Sequence, residues 1–181
     1  MARVLVSNYN ASVKPNDIVY FLGDMGLTKS DEISKVIKKL NGTKLLILGN
    51  HDKGPYAMRK MGFDAVMYGS TLKIGNELVT LSHCPLKGIQ RENIEGMRGA
   101  QTGEHWHGEK KNNIFTRMPH KDFHLHGHIH SPNSGKSVRE LNRQYDVGVD
   151  ANKYRPVSLG EIESWIAKTK RKEAESGKEK N

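Results

Sequence analysis

The sequence predicts an α/β fold, a layered β-sandwich flanked by helices. Short apolar runs alternate with amphipathic helical stretches along the first half of the chain, and a run of strands follows. With 181 residues the chain is long enough for one compact domain with its own core and short for two.

The elements follow in order. Asp17–Leu22 carries Ile18, Val19, Tyr20, Phe21 and Leu22, an apolar run short enough to be a buried strand. Ile33, Val36, Ile37 and Leu40 then form one helical stripe. Thr28 and Asp31 make a capping box at its start, and Asn41-Gly42 a stop at its end. Lys44–Leu48 is a second buried strand. Pro55 opens a helix that runs through Met61, since its ring presets the backbone of a first helical turn. Asp64–Tyr68, Thr71–Ile74 and Glu77–Ser82 read as strands, the last two joined by a tight Gly75-Asn76 hairpin. Asp122–His126 and Gln144–Val149 are further strands. Ser158 and Glu161 form another capping box, before a helix with Ile162, Trp165 and Ile166 facing inward.

Residues 87–119 are polar, glycine-bearing and weakly patterned, as functional loops and lids are. Within them His105 and His107 flank Trp106, and Arg98, Lys110, Lys111 and Arg117 are candidate substrate contacts. The basic tail, residues 168–181, is expected to carry little order.

Composition narrows the function classes. Cys84 is the only cysteine, which excludes an internal disulfide and fits a reducing, cytoplasmic setting; a small buried residue is the reading for it. No apolar run approaches the roughly 18 residues that cross a bilayer, so no membrane partner is expected. The apolar part of the N-terminal MARVLVSNYN is too short for a signal peptide. Twenty-nine Lys and Arg against 20 Asp and Glu give a formal charge of +9, which suits a phosphate-rich partner such as a nucleotide or nucleic acid.

The chemistry gathers at strand ends. Gly23-Asp24, Gly49-Asn50-His51-Asp52, Ser82-His83 and Gly127-His128-Ile129-His130 each place Asp, Asn or His directly after an apolar strand, where loops can converge on one sheet edge. Carboxylate, amide oxygen and imidazole nitrogen together suit Mn, Fe or Zn better than calcium. His128 and His130, two apart, would face the same side of an extended strand. Each segment alone is ordinary: Gly-Asp is common turn chemistry, and a lone histidine is more often structural than a ligand.

Taken in this order, the four segments resemble the signature of calcineurin-like metallophosphoesterases. Val13–Asp24 and Tyr145–Val157 resemble the small single-domain bacterial and phage members. The resemblance implies one metallophosphoesterase domain over residues 1–167 and a two-metal site at a sheet edge. It implies hydrolysis of phosphate esters, in particular nucleotide or nucleic-acid diesters, by a metal-bound hydroxide attacking phosphorus in line. Asp24 matches the bridging carboxylate. Asn50, His83 and His128 match the remaining ligands of the second metal, and His130 a ligand of the first. His51 matches the histidine that contacts phosphate and protonates the leaving oxygen, with Asp52 orienting it. Manganese is the expected ion, with Fe, Zn or Ni as other divalent choices.

One part of the family pattern is missing. The family opens with a strand ending in Asp-x-His, and no such pair precedes Gly23. Leu5, Tyr9 and Val13, spaced four apart, favour a helix over Ala2–Val13. The rival reading makes Arg3–Ser7 a strand, with Asn8 and Asn10 standing in for the pair. Either way the first metal position is incomplete, a strand edge is expected to be unpaired, and weak occupancy there would impair hydrolysis. The competing function is a catalytically impaired single-metal protein that binds phosphate or nucleic acid.

Overall fold

The computed structural model describes residues 2–26, 29–85, 123–130 and 143–178. The proposed lid at 87–119 and Thr28 of the first capping box lie outside them, as do residues 179–181.

The chain begins with a helix, α1 (Ala2–Ser12), which sets aside the reading of Arg3–Ser7 as a strand. The stripe of four-residue spacing explains it. Tyr9 and Val13 are buried, and the Tyr9 ring stacks on Phe21 with centroids 5.8 Å apart. Asn8 and Asn10, the residues of the rival reading, are used elsewhere. Asn8 Nδ2 donates to Tyr154 O, Asn10 Nδ2 donates to Lys39 O, and Asn10 Oδ1 accepts from Asn41 N.

Next come β1 (Ile18–Phe21), α2 (Ser30–Ile37), β2 (Thr43–Ile47), α3 (Pro55–Met61) and β3 (Ala65–Met67). The three strands form a parallel sheet in the order β1-β2-β3, with Phe21 beside Leu46 and Ile47 beside Met67. Both faces of β2 are buried, as a parallel strand with helices on one face and a second layer on the other requires. Leu46 and Leu48 face Ile37 of α2 and Met58 and Met61 of α3, whereas Ile47 belongs to the other core.

A second sheet is mixed, in the order β4-β5-β6-β7: β4 (Ser70–Ile74), β5 (Glu77–Leu81), β6 (Phe123–His126) and β7 (Gln144–Asp146). The expected hairpin closes at Gly75-Asn76, with Ile74 opposite Glu77. The chain then runs parallel from β5 to β6 and from β6 to β7. One face supplies Val79, Leu81, Phe123 and Leu125 to a core shared with Leu22 and Ile47 of the first sheet and with Ile162 and Ile166 of α4 (Leu159–Lys178). The architecture is therefore α/β, with parallel and mixed sheets joined through one core.

The opposite face of β6 is polar and equally buried. His124 Nδ1 lies 2.9 Å from Gln144 Oε1, and His124 Nε2 lies 2.8 Å from Ser82 Oγ. Burial, followed by the neighbouring His126, pushes the His124 pKa down to about 3, so the ring is neutral. This ladder ties the end of β5, β6 and β7 to one another.

Two expectations need correction. β7 stops at Asp146 instead of reaching Val149, because Asp146 Oδ1 accepts the Gly148 N–H and the chain turns into a 3-10 turn at Val149–Asn152. The tail does not lose order at Lys168: α4 continues through Lys178. Arg143 holds Glu173 through two hydrogen bonds at 2.5 and 2.7 Å, and Lys170 pairs with Glu77. These partners are distant in sequence, so local composition did not reveal them. Among the described residues no helix is long and apolar enough to cross a membrane.

Candidate metal centre

The loops after β1, β2, β5 and β6 meet at one edge. Glycine makes the approach possible. A Cβ on Gly49 would stand 2.2 Å from Asp24 Oδ1 and 2.5 Å from Asp24 N, and one on Gly23 (φ +89°) would stand 2.5 Å from His83 Nδ1. The backbone carries strain at the same place. Asp24, His128 and His130 all have positive φ, at 56°, 70° and 45°. Such angles cost side-chain-bearing residues free energy and collect at functional sites.

His83 is the hub, and it is buried. Its Nδ1 lies 2.6 Å from Leu22 O; a carbonyl can only accept, so Nδ1 carries the proton. In the neutral ring Nε2 is then a bare lone pair. Around that atom stand Asn50 Oδ1 at 2.9 Å, His128 Nδ1 at 3.0 Å and Asp24 Oδ2 at 3.1 Å. Four acceptor-capable atoms thus converge. Even a protonated Nε2 offers one hydrogen, which cannot satisfy three neighbours. A cation would satisfy all of these acceptors at once. Each of the three stands about as far from His83 Nε2 as two ligands about 2.1 Å from one ion and at right angles stand from each other, about 3.0 Å. The Leu22 carbonyl is the kind of outer partner that orients a ligating imidazole.

Electrostatics agree with the geometry. Burial raises the pKa of Asp24, but the His83 imidazole, when its Nε2 carries a proton, and the His51 N–H outweigh it, and the net value is lowered. Burial, then the nearby His83, lowers the pKa of His128. Both groups are thereby held in the unprotonated state that a metal ligand needs.

The other candidate residues divide. His51 donates its backbone N–H to Asp24 Oδ1 at 2.9 Å, and the residue is exposed beside the cluster. Asp52 does not orient the His51 ring through any described bond. Its buried carboxylate accepts the N–H groups of Asp24 (2.9 Å), Gly49 (2.8 Å) and Met25 (2.9 Å), bracing the two ligand loops against each other. Two anionic oxygens facing three backbone donors have a stronger use there than on an exposed ring.

His130 departs from the sequence expectation more clearly. β6 ends at His126, so His128 and His130 lie past the strand and not on it. His128 turns to His83, whereas His130 is exposed with its Nδ1 2.9 Å from Asp150 Oδ2. Asp150 lies in the Tyr145–Val157 run that carries part of the resemblance, and the sequence pattern alone gives it no role.

Cys84, expected from the sequence as a small buried residue, lies beside the imidazoles. Among the described residues, the set of three His, Cys, Asp or Glu side chains whose ligand atoms all lie within 4.8 Å of one another is His83, Cys84 and His128, and this cluster could hold a metal ion. Burial, then the charge of Asp24, pushes the metal-free thiol up to about 11. Its signal in the sequence was plain adjacency to His83, which composition alone does not distinguish from a core cysteine.

No protein-family model matches the chain. An uncharacterized protein of Methanocaldococcus jannaschii is 44% identical over 55 residues, which is 29% of this chain and 31% of that relative. The chain therefore spans less than a third of the length of that relative. The crystal structure of a protein of unknown function from Aquifex aeolicus superposes with a TM-score of 0.60 at 24% identity, over 90% of this chain and 83% of that one. The likeness is one of fold.

Proposed function

We propose that this chain is a calcineurin-like metallophosphoesterase that hydrolyses phosphate esters, with nucleotide or nucleic-acid diesters as its substrate class. The observation that carries the reading is the convergence of Asp24, Asn50 and His128 on Nε2 of His83. The donor set fits a divalent transition ion of the manganese type, since it mixes hard oxygens with imidazoles. Such an ion supplies positive charge that stabilises the transition state at phosphorus and makes water a stronger nucleophile.

The residues would divide the work as follows. Asp24, Asn50, His83 and His128 bind the cation. Asp52 holds the Asp24 and Gly49 loops at the spacing this requires. His51, exposed beside Asp24, contacts the phosphate and protonates the leaving oxygen. A net charge of +9 favours the approach of a polyanionic ester.

A second reading is a single-metal protein that binds phosphate with little turnover. The pairing of His130 with Asp150 favours it, because it draws a donor away from the first metal position. Hydrolysis of bis-p-nitrophenyl phosphate with and without manganese separates the two. Manganese-stimulated turnover that disappears in His83→Ala supports the phosphoesterase. Manganese bound at one ion per chain with no turnover supports the binding protein.

A further inference from the structure

We propose that Cys84 is a thiolate ligand of the ion held by His83 and His128, and that it biases the centre toward zinc over manganese. The inference rests on the cation-site reading above and adds a selectivity that the oxygen and imidazole donors alone would not have.

Three observations carry it. The Cys84 sulfur and one nitrogen each of His83 and His128 lie within 4.8 Å of one another. On a shared tetrahedral zinc ion, with bonds of about 2.3 Å to sulfur and about 2.0–2.1 Å to nitrogen, such atoms stand about 3.6 Å apart, so a closing movement of about 1 Å at most brings them into place. The peptide that bears both donors is fixed at either end. Gly127 N donates to His83 O at 3.0 Å, and Ser82 Oγ donates to Cys84 O at 2.7 Å. Pro85 follows directly and restricts the Cys84 backbone to extended angles. The sulfur is consequently held near the imidazoles by the turn itself. Finally, Cys84 is a free cysteine and half-buried, close enough to a lone pair cluster to be drawn in by an ion.

The chemistry distinguishes ions. Zinc replaces the thiol proton, which leaves to solvent, and an S–Zn bond forms; no oxidation is involved. A soft thiolate rewards zinc far more than manganese, which is satisfied by Asp24, Asn50 and the imidazoles. With manganese the sulfur would stay outside the coordination sphere. Metal identity then decides how many protein donors the ion has, and so how much room is left for a substrate oxygen.

Cobalt loading of the full chain provides the test. The expected result is a thiolate-to-cobalt charge-transfer band in the near ultraviolet, absent in Cys84→Ser. In the same variant zinc affinity should fall by about tenfold to a hundredfold, on the scale known for perturbing a metal's protein surroundings, while manganese affinity changes by less than about twofold. Cobalt bound to the wild-type chain without the band overturns the ligand role of Cys84 and leaves the cation site standing; this arm needs no variant to fold. Equal losses of zinc and manganese affinity in a folded variant overturn the selectivity. No binding of cobalt, zinc or manganese by the wild-type chain overturns the cation-site reading itself.

Discussion

At the residue scale the centre depends on atoms that are absent. Gly49 lets its loop pass within bonding reach of Asp24, and a methyl group there would meet Asp24 Oδ1 at 2.2 Å and Asp24 N at 2.5 Å. The second of these is backbone, so relief requires the whole loop to move. Gly49→Ala should destabilise the fold by about 1–3 kcal/mol, the usual cost of overpacking, and should also weaken metal binding. Urea unfolding and a metal titration check this, and unchanged affinity in the variant would contradict the close approach. His51 makes a contrasting case. Its N–H serves Asp24 through the backbone, which alanine retains, so His51→Ala should keep its metal while turnover falls about a hundredfold, as loss of a general acid does. A variant that loses metal and activity together would make His51 a ligand.

Sequence made the clustered residues legible because each lies just past an apolar strand, at a glycine in all but His83, which follows Ser82. It did not reveal their division of labour. Asp52 and His51 are neighbours in the chain, yet Asp52 spends its carboxylate on N–H groups of Asp24, Met25 and Gly49. Leu22 O, which fixes the His83 tautomer, is 61 residues away from that ring. No local pattern encodes such a pairing.

At the scale of elements, periodicity and capping served well where the partners are near in sequence. The capping box of α4 is present as read: Glu161 N donates to Ser158 Oγ at 3.3 Å, and Ser158 N donates to Glu161 Oε2 at 2.9 Å. Arg155 completes it, with hydrogen bonds to Glu161 at 2.6 and 3.0 Å. The Arg155 hydrogen bond, then the Ser158 N–H, lower the Glu161 pKa from its ordinary 4.5 to about 2. A carboxyl that is more acidic in the folded state stabilises the fold in its ionised form. Its contribution should be complete above pH 4.5 and fade as the pH falls through about 2. In Glu161→Gln that part of the acid dependence should vanish, as thermal melts across the window would show; an identical acid profile in the variant would rule the cap out as its source. The last turns of α4 were illegible, because their anchors, Arg143 and Glu77, come from other parts of the chain.

At the scale of the molecule, two sheets share one core while a polar ladder of His124, Gln144 and Ser82 locks the other face of the second sheet. Four loops leave strands of both sheets at the edge where that core ends. The rigidity of the layers is what allows strained residues such as Asp24 and His128 to hold position, since a strained backbone persists only where its surroundings overdetermine it. The α/β class was readable from alternating apolar runs. The fate of His130 was not, because it depends on where β6 ends and on an aspartate 20 residues further along the chain.

The claim that stands beneath the others is that acceptors around His83 Nε2 are arranged for a cation. A crystal structure of the manganese-soaked chain, with anomalous scattering to locate the metal, tests it most directly. The expected result is one strong peak bonded to His83 Nε2, His128 Nδ1, Asp24 and Asn50 at roughly 2.0–2.2 Å, the distance range of transition-metal ligands. A cluster that stays free of metal, or a peak bound instead only by His130 and Asp150, would contradict it.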